Sequence, residues 1–191
     1  MVDPAPLTGE PLAIDLVNTR PNTAVGPVDL LTDVTRLRSW LALQVERLPE
    51  LAVDEVALTD ADLVAVQAVR DHIAAAVHAA RRGEAPPADA LNGLNAALRA
   101  APAVRELTLD GTSVALVSRR QGSPGLRLAA RFAEDAAGLL ADARILKVRV
   151  CEAQDCVMLF LPAHPRRRWC SAARCGNRTR VARYYQRHKT D

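Results

Sequence analysis

The sequence predicts an α+β protein that is mostly helical, with a short antiparallel sheet and a small cysteine-containing module at its C-terminal end. Apolar residues recur at helical spacing over most of the chain before residue 141. One pair of alternating segments meets at an Asp-Gly turn, and all four cysteines lie within the last 41 residues. At 191 residues the chain is long enough to bury a core of its own.

The predicted elements begin with a strand over Pro11 to Thr19, where apolar residues alternate and most positions are expected to be buried. After a loop over 21–27, Asp29 or Thr32 can cap a helix. The apolar residues at helical spacing in that helix are Leu30, Val34, Leu37, Trp40 and Leu41.

Two longer helices are predicted next. Thr59 or Asp60 opens a helix that runs to about Arg82, and Pro86-Pro87 begins another that ends near Ala101. The periodicity then changes to alternation. Strands are predicted over 104–109 and 113–118, joined at Asp110-Gly111, because both turn residues tolerate positive φ.

A fourth long helix is predicted from Ser123-Pro124, which provides an N-cap followed by proline at the first helical position. It is followed by a strand over Ile145 to Val150, with Leu146, Val148 and Val150 facing inward. This strand leads directly into the first cysteine.

The cysteines form two spaced pairs, Cys151-x4-Cys156 and Cys170-x4-Cys175, separated by 13 residues. Zinc takes four soft ligands on a tetrahedron, so two such pairs brought together by one fold-back suit one structural Zn²⁺. Two disulfides or free thiols are the alternatives. The N-terminus has neither the basic start nor the apolar run of a signal peptide, and no stretch is apolar enough for a membrane span, so we expect a cytoplasmic protein without membrane contact.

The residues around the second pair, Arg167-Arg168-Trp169-Cys170-Ser171 and Cys175-Gly176-Asn177-Arg178, resemble the CGNR zinc finger. That finger is the C-terminal module of a bacterial family whose N-terminal part is the ABATE domain. Residues 12–19, Leu-Ala-Ile-Asp-Leu-Val-Asn-Thr, resemble the opening of that domain. The resemblance implies an ABATE-like domain over 1–145, a treble-clef-like zinc finger over 146–191, and a DNA-binding regulatory protein. The chain departs from the family in the linker over 160–165, which contains two prolines where a polar linker is usual.

Charge is divided unevenly along the chain. Residues 1–143 hold 13 Arg and 19 acidic residues, whereas residues 144–191 hold 12 Arg or Lys and 3 acidic residues. A basic end on an acidic body is typical of phosphate binding and indicates DNA as a partner. Arginine also exceeds lysine throughout the chain, so its abundance is in part a bias of composition.

Within the basic end, Arg166, Arg167 and Arg168 precede a zinc ligand. A helix capped by Ser171 in preference to Asn177 is predicted to follow, with Val181, Ala182 and Tyr185 on its apolar side. Asn177 and Arg178 either support the zinc sulfurs and the helix start or contact base edges. The candidate nucleic-acid contacts are Arg166, Arg167, Arg168, Arg174, Asn177, Arg178, Arg180, Arg183 and Arg187. The alternative is a solvated arginine face on a structural finger that mediates protein or dimer contacts.

Asp15, Asn18 and Thr19 form a second group of polar residues in an apolar setting. They can line a pocket for a small-molecule effector, or bond backbone groups at the end of their element. The N-terminal domain is therefore expected to sense an effector or to pair with a second copy in a homodimer. The sequence contains no nucleophile elbow or phosphate loop, and four sulfurs leave zinc no open position, so no enzyme activity is expected.

Overall fold

The computed structural model describes residues 6–23, 26–49 and 57–188, and of residues 183 and 185–187 it describes only the backbone. Six α-helices and three two-stranded antiparallel sheets make up this part of the chain. The helices are α1 Leu12–Val17, α2 Val34–Ala42, α3 Asp60–Ala80, α4 Ala88–Ala100, α5 Pro124–Ala141 and α6 Asn177–His188. The strands are β1 Asn22–Thr23, β2 Gly26–Pro27, β3 Val104–Asp110, β4 Ser113–Arg119, β5 Arg149–Val150 and β6 Leu159–Phe160.

The predicted strand over 11–19 is wrong, because this segment forms the helix α1. The backbone N–H of Asp15 donates to the carbonyl of Pro11 at 2.9 Å, and that of Asn18 donates to Ile14 at 2.9 Å. Every residue from 12 to 16 is buried, all but Asp15 are apolar, and the helix packs against α3 and α5. A helix buried all round has no polar face, and its short apolar run is easily read as a strand.

The cap of α2 is Asp33, not Asp29 or Thr32. The carboxylate of Asp33 accepts a hydrogen bond from the backbone N–H of Arg36 at 2.9 Å. Asp29 instead accepts hydrogen bonds from both terminal nitrogens of the buried Arg70, at 2.7 and 2.6 Å. The side chain of Asp29 therefore ties the loop before α2 to helix α3.

Helices α3, α4 and α5 form the centre of the molecule and confirm the helices predicted there. Thr59 caps α3 in a reciprocal capping box with Asp62, and Ser123 caps α5 with proline at its first position. Gly125 lies so close to α3 that a Cβ placed there would be 2.4 Å from the Cα of Asp62. A residue without a side chain is therefore needed where the two helices meet.

The hairpin of β3 and β4 is confirmed, but its turn is one residue later than predicted. Asp110 pairs with Ser113, so Gly111 and Thr112 form the turn, and Gly111 has φ +61°. The predicted strand over 145–150 is largely wrong. Residues Ala143–Lys147 form a 3₁₀ turn whose start is capped by Asp142, and only Arg149–Val150 is extended. Leu146, predicted to face inward, is 61% exposed, whereas Ile145 is buried.

Strand β5 forms an antiparallel pair with β6 just before the chain reaches Cys151. Arg149 lies opposite Phe160 and Val150 opposite Leu159. Residues 166–169 do not pair with β6, although the backbone N–H of Glu152 does donate to the carbonyl of Arg168 at 3.0 Å. The pairing of β5 and β6 closes a loop that carries both cysteines of the first pair.

Two apolar clusters stabilise these elements. The larger one contains α1 to α5 and also includes Leu159 of β6, while the smaller one surrounds the cysteines. Burial of Leu159 in the larger cluster joins the C-terminal segment to the helical body. No helix in the described ranges has the length and apolar character needed to cross a bilayer.

Candidate metal centre and nucleic-acid interface

Local backbone structure places the four cysteines. Cys151 follows β5, and its N–H donates to the carbonyl of Met158 at 2.9 Å. Asp155 adopts φ 60°, a left-handed conformation that turns the chain toward Cys156. Cys175 lies within a wide π turn, Ala172–Gly176, that is capped by the Ser171 hydroxyl and runs directly into α6. The predicted preference for a cap at Ser171 agrees with this turn.

The sulfur atoms of the four cysteines all lie within 4.8 Å of one another. The Sγ of Cys170 is 3.9 Å from that of Cys156 and 3.6 Å from that of Cys175, and Cys175 is 3.7 Å from Cys156. A tetrahedron with Zn–S bonds of about 2.3 Å has edges of about 3.8 Å. These distances therefore fit one Zn²⁺, and they are far longer than the roughly 2.05 Å of a disulfide.

The four crowded thiols influence one another's ionisation, and this favours a cation bound among them. The thiol of Cys170 donates toward Cys156 and lowers the pKa of Cys156 to about 5. Donation to Cys156, followed by burial, raises the pKa of Cys170. Burial, followed by the negative charge on Cys156, raises the pKa of Cys175 to about 11. A negative charge on one sulfur thus disfavours ionisation of the neighbouring cysteines. A divalent cation bound among the sulfurs would offset this repulsion.

The surroundings of the sulfurs are apolar on one side and cationic on the other. Phe160 is fully buried in the smaller cluster, and Trp169 packs against it. The Arg178 guanidinium donates to the carbonyl of Gln154 at 3.0 Å and lies 3.9 Å from the Sγ of Cys175. Arg178 is thus placed to neutralise a coordinating thiolate and to hold the two halves of the site together.

Arg167 faces the helical body rather than open solvent. Its Nη2 atom donates to the Glu10 carboxylate at 2.6 Å and to the carbonyl of Cys170 at 2.6 Å. The same guanidinium lies over the Phe160 ring, 4.6 Å from its centroid. Since Glu10 also accepts from the backbone N–H of Leu161 at 2.8 Å, this one carboxylate clamps the finger at two places.

Three of the predicted arginines before α6 are exposed. Arg168 pairs with Glu152 at 2.5 Å within the finger, and Arg166 is exposed beside it. Arg174 lies on the turn before α6 and is also exposed. These three residues form the part of the predicted basic surface that lies outside α6.

The described side chains of helix α6 are mostly exposed. Arg180 donates to the Asn177 side chain at 2.6 Å, and both residues are exposed. Val181, predicted to pack inward, is 53% exposed, and Ala182 is also exposed, so the predicted packing of this side of the helix is wrong at these positions. Tyr184 is 59% exposed and stacks on His188 instead of filling the finger core. The side chains of Arg183, Tyr185 and Arg187 lie outside what the structure describes.

Asp15 is fully buried, and protein groups contact both of its carboxylate oxygens. The backbone N–H groups of Gly9 and Glu10 donate to it at 2.9 and 3.1 Å, Arg47 at 2.6 Å and Gln44 at 3.3 Å. Burial raises the pKa of Asp15 above its ordinary value, although these hydrogen bonds act in the opposite direction. Asp15 thereby ties α1 to the chain that precedes it and to the turn after α2.

Asn18 and Thr19 are buried as well. The Asn18 carboxamide donates to the carbonyl of Leu159 at 2.9 Å and accepts from its N–H at 2.8 Å. The Thr19 hydroxyl donates to Leu16 at 2.7 Å and accepts from Arg70 at 2.8 Å. Of the three predicted pocket residues, Asn18 borders a cavity of about 320 Å³ between the body and the cysteines, which Asn22, Leu30 and Met158 also line.

Sequence reasoning missed Glu10, Arg47 and Arg70. Each is a charged residue whose partner cannot be found from the spacing of the sequence. Glu10, for example, contacts Leu161 and Arg167, which lie 151 and 157 positions further along the chain. Arg70 lies on the buried side of α3. An arginine at a core position of the helical pattern was the sequence signal that could have identified it.

Two protein-family models match the chain. A family model described as "Putative stress-induced transcription regulator", ABATE, matches residues 10–143, and the model of the CGNR zinc finger matches residues 147–188. No curated protein matches the chain. The four cysteines lie inside the second match with their sulfurs arranged to hold a metal ion, and the cofactor of this site is one structural zinc.

Proposed function

Because the chain belongs to the ABATE family and ends in a CGNR zinc finger, we propose that it is a cytoplasmic, DNA-binding transcription regulator rather than an enzyme. In this proposal residues 1–145 form the regulatory domain and residues 146–191 the DNA-binding finger. Four zinc-binding cysteines suit a reducing compartment. Zinc with four sulfur ligands has no position for an activated water.

The observation that carries the proposal is the exposure and charge of α6. Its 12 residues contain Arg178, Arg180, Arg183, Arg187 and no acidic residue. A helix that begins beside a rigid metal site and projects from the body has the shape that enters a major groove. Arg166, Arg168 and Arg174 continue the basic surface next to it and can contact phosphates.

Three of the predicted contacts have a different place in the proposal. Arg167 is held by Glu10 and Cys170, so we assign it to the junction between finger and body. Arg178 lies against the Cys175 sulfur, and Asn177 accepts from Arg180, so we assign both first to the support of the helix start. The residues that remain for the nucleic acid are Arg180, Arg183 and Arg187 of α6 and the exposed Arg166, Arg168 and Arg174.

Salt dependence of DNA binding by the full-length protein tests the proposal. Each neutralised phosphate contributes about −0.9 to the slope of log affinity against log salt concentration, so four to six contacts give about −4 to −5. Replacing Arg180, Arg183 and Arg187 together by Gln should flatten the slope by up to about three units. Bound zinc and helix content should stay unchanged, as none of the three is a zinc ligand.

The matched control replaces Arg36, Arg82 and Arg144 by Gln. These arginines of the body are 46–61% exposed and paired with nearby acids. Because both variants replace three arginines by Gln, the change in net charge is the same. DNA affinity should fall only slightly. Equal loss from both triple variants, or no DNA affinity of the wild-type protein at low salt, refutes the proposal and leaves the finger as a structural module for protein contacts.

The effector part of the proposal rests on the cavity between body and finger. Asn18 ties its wall to β6, so a small molecule in the cavity can change how the finger is held. Asn22, an exposed residue that lines it, is replaced by Ala in the test. A metabolite that raises the melting temperature of the wild type should no longer raise that of the variant, whose own melting temperature stays the same. If no metabolite of a broad panel raises it, this part of the proposal fails.

A further inference from the structure

The outward side of the β3–β4 hairpin is a continuous apolar face. Leu107 lies opposite Leu116, and Leu109 lies opposite Val114. Directly opposed residues and residues two apart along a strand share one side of a sheet, so these four side chains are neighbours. They are 58–79% exposed.

The other side of the hairpin faces the protein. Thr108, Ala115 and Val117 have the opposite parity along the strands, and each is half-buried. The apolar face therefore points away from the body, and no described segment covers it. A hairpin of two strands is marginally stable by itself, and four large aliphatic side chains in water add to that cost.

The size of the face suits a contact between two copies. Its exposed apolar area is on the order of 500 Å² per chain, within the range of the largest patches on monomers. Two such faces together bury about 1,000 Å², the lower limit of specific interfaces. A two-fold axis brings the same patch of both chains together, so one surface is sufficient for a closed dimer.

We propose that the outward face of the β3–β4 hairpin binds the same face of a second copy of this chain in a two-fold dimer. The contact packs two ribbons face to face, about 10 Å apart. It is independent of DNA, because the hairpin and α6 are separate surfaces.

Sedimentation equilibrium of the full-length zinc-loaded protein without DNA tests the proposal over a wide range of micromolar concentrations. The wild type should show a concentration-dependent monomer–dimer equilibrium. Leu107→Lys with Leu116→Glu places opposite charges across the strands, which keeps the hairpin paired but puts charges at the centre of the interface. This variant should dissociate at least about a hundredfold more readily.

The matched control is Val64→Lys with Leu146→Glu. Both residues are 61% exposed and lie outside the hairpin, so the control changes hydrophobicity and charge equally. Its dimerisation should equal that of the wild type. Circular dichroism should show that both double variants keep the wild-type helix content and melting temperature.

A wild type that remains monomeric at every concentration overturns the proposal. So does equal dissociation of the hairpin and control variants, or a wild-type monomer whose hairpin binds phospholipid vesicles. A dimer that fails to bind DNA refutes the proposed function and leaves this interface standing.

Discussion

The carboxamide of Asn18 pairs with both backbone groups of Leu159, although 141 residues separate them along the chain. An asparagine side chain here takes the place of a neighbouring strand, because it offers one donor and one acceptor to an exposed strand edge. Leu159 itself is buried in the core of the helical body. The zinc finger is thus attached to the N-terminal helix by a polar and an apolar contact at the same residue.

Asn18→Asp should lower the free energy of unfolding by about 1–3 kcal/mol, because the donor to the Leu159 carbonyl becomes an acceptor in a buried place. Urea denaturation followed by circular dichroism measures the change. Asn95→Asp on the exposed side of α4 is the control and should have little effect. Equal stability of wild type and Asn18→Asp would show that the pairing contributes nothing.

One zinc should be bound per chain. Metal analysis of protein purified under reducing conditions should give one equivalent. Removal by a chelator should lower the unfolding temperature of the whole chain, because metal binding supplies on the order of 10 kcal/mol in isolated fingers. Cys170→Ser should give the same result without a chelator. A chain that keeps its melting temperature after losing the metal contradicts this expectation.

Gly125→Ala should destabilise the protein by about 1–3 kcal/mol or more, because a Cβ there would overlap the backbone of Asp62. Gly138→Ala in the same helix is the matched control, since its Cβ would meet nothing within 4 Å. That variant should gain about 0.5–1 kcal/mol from helix propensity. Thermal and urea unfolding of the pair should therefore shift in opposite directions.

The stability contributed by Asp62 should be lost in acid. Burial raises the pKa of Asp62, but hydrogen bonds from Thr59 and Gly125 outweigh it and hold the pKa below the ordinary 3.8. The carboxylate therefore stabilises the fold above pH 3.8, and the effect disappears as the pH falls through the folded-state pKa. Asp62→Asn should be less stable than the wild type at neutral pH, with a difference that shrinks below pH 3.8. A constant difference would exclude this origin.

The parts that could be predicted from the sequence are those governed by local chemistry. Thr59 and Ser123 mark helix starts because a side-chain oxygen caps nearby N–H groups, and spaced cysteines indicate zinc by their softness as ligands. The structure confirms these helices and the clustered cysteines. The treble-clef-like arrangement and the DNA and effector contacts stay predictions.

The parts that could not be predicted depend on partners far away in sequence. The segment that became α1 is buried because α3, α5 and β6 pack against it, and no periodicity in the sequence can report that. The Asp15–Arg47 and Glu10–Arg167 pairs join separate segments in the same way. Asp15, Asn18 and Thr19 were recognisable as buried polar residues, but their bonding partners depend on the folded chain.

The position of Leu159 in the body core has a consequence for synthesis on the ribosome. The chain emerges from its N-terminus, so α1 to α5 are complete before β6 exists. Until then the nascent body has an open apolar slot at the Leu159 position and an Asn18 amide without its strand partner. The strand that packs against the first helix is therefore translated after the helices of the body, and maturation of the body waits for the segment that acquires the metal.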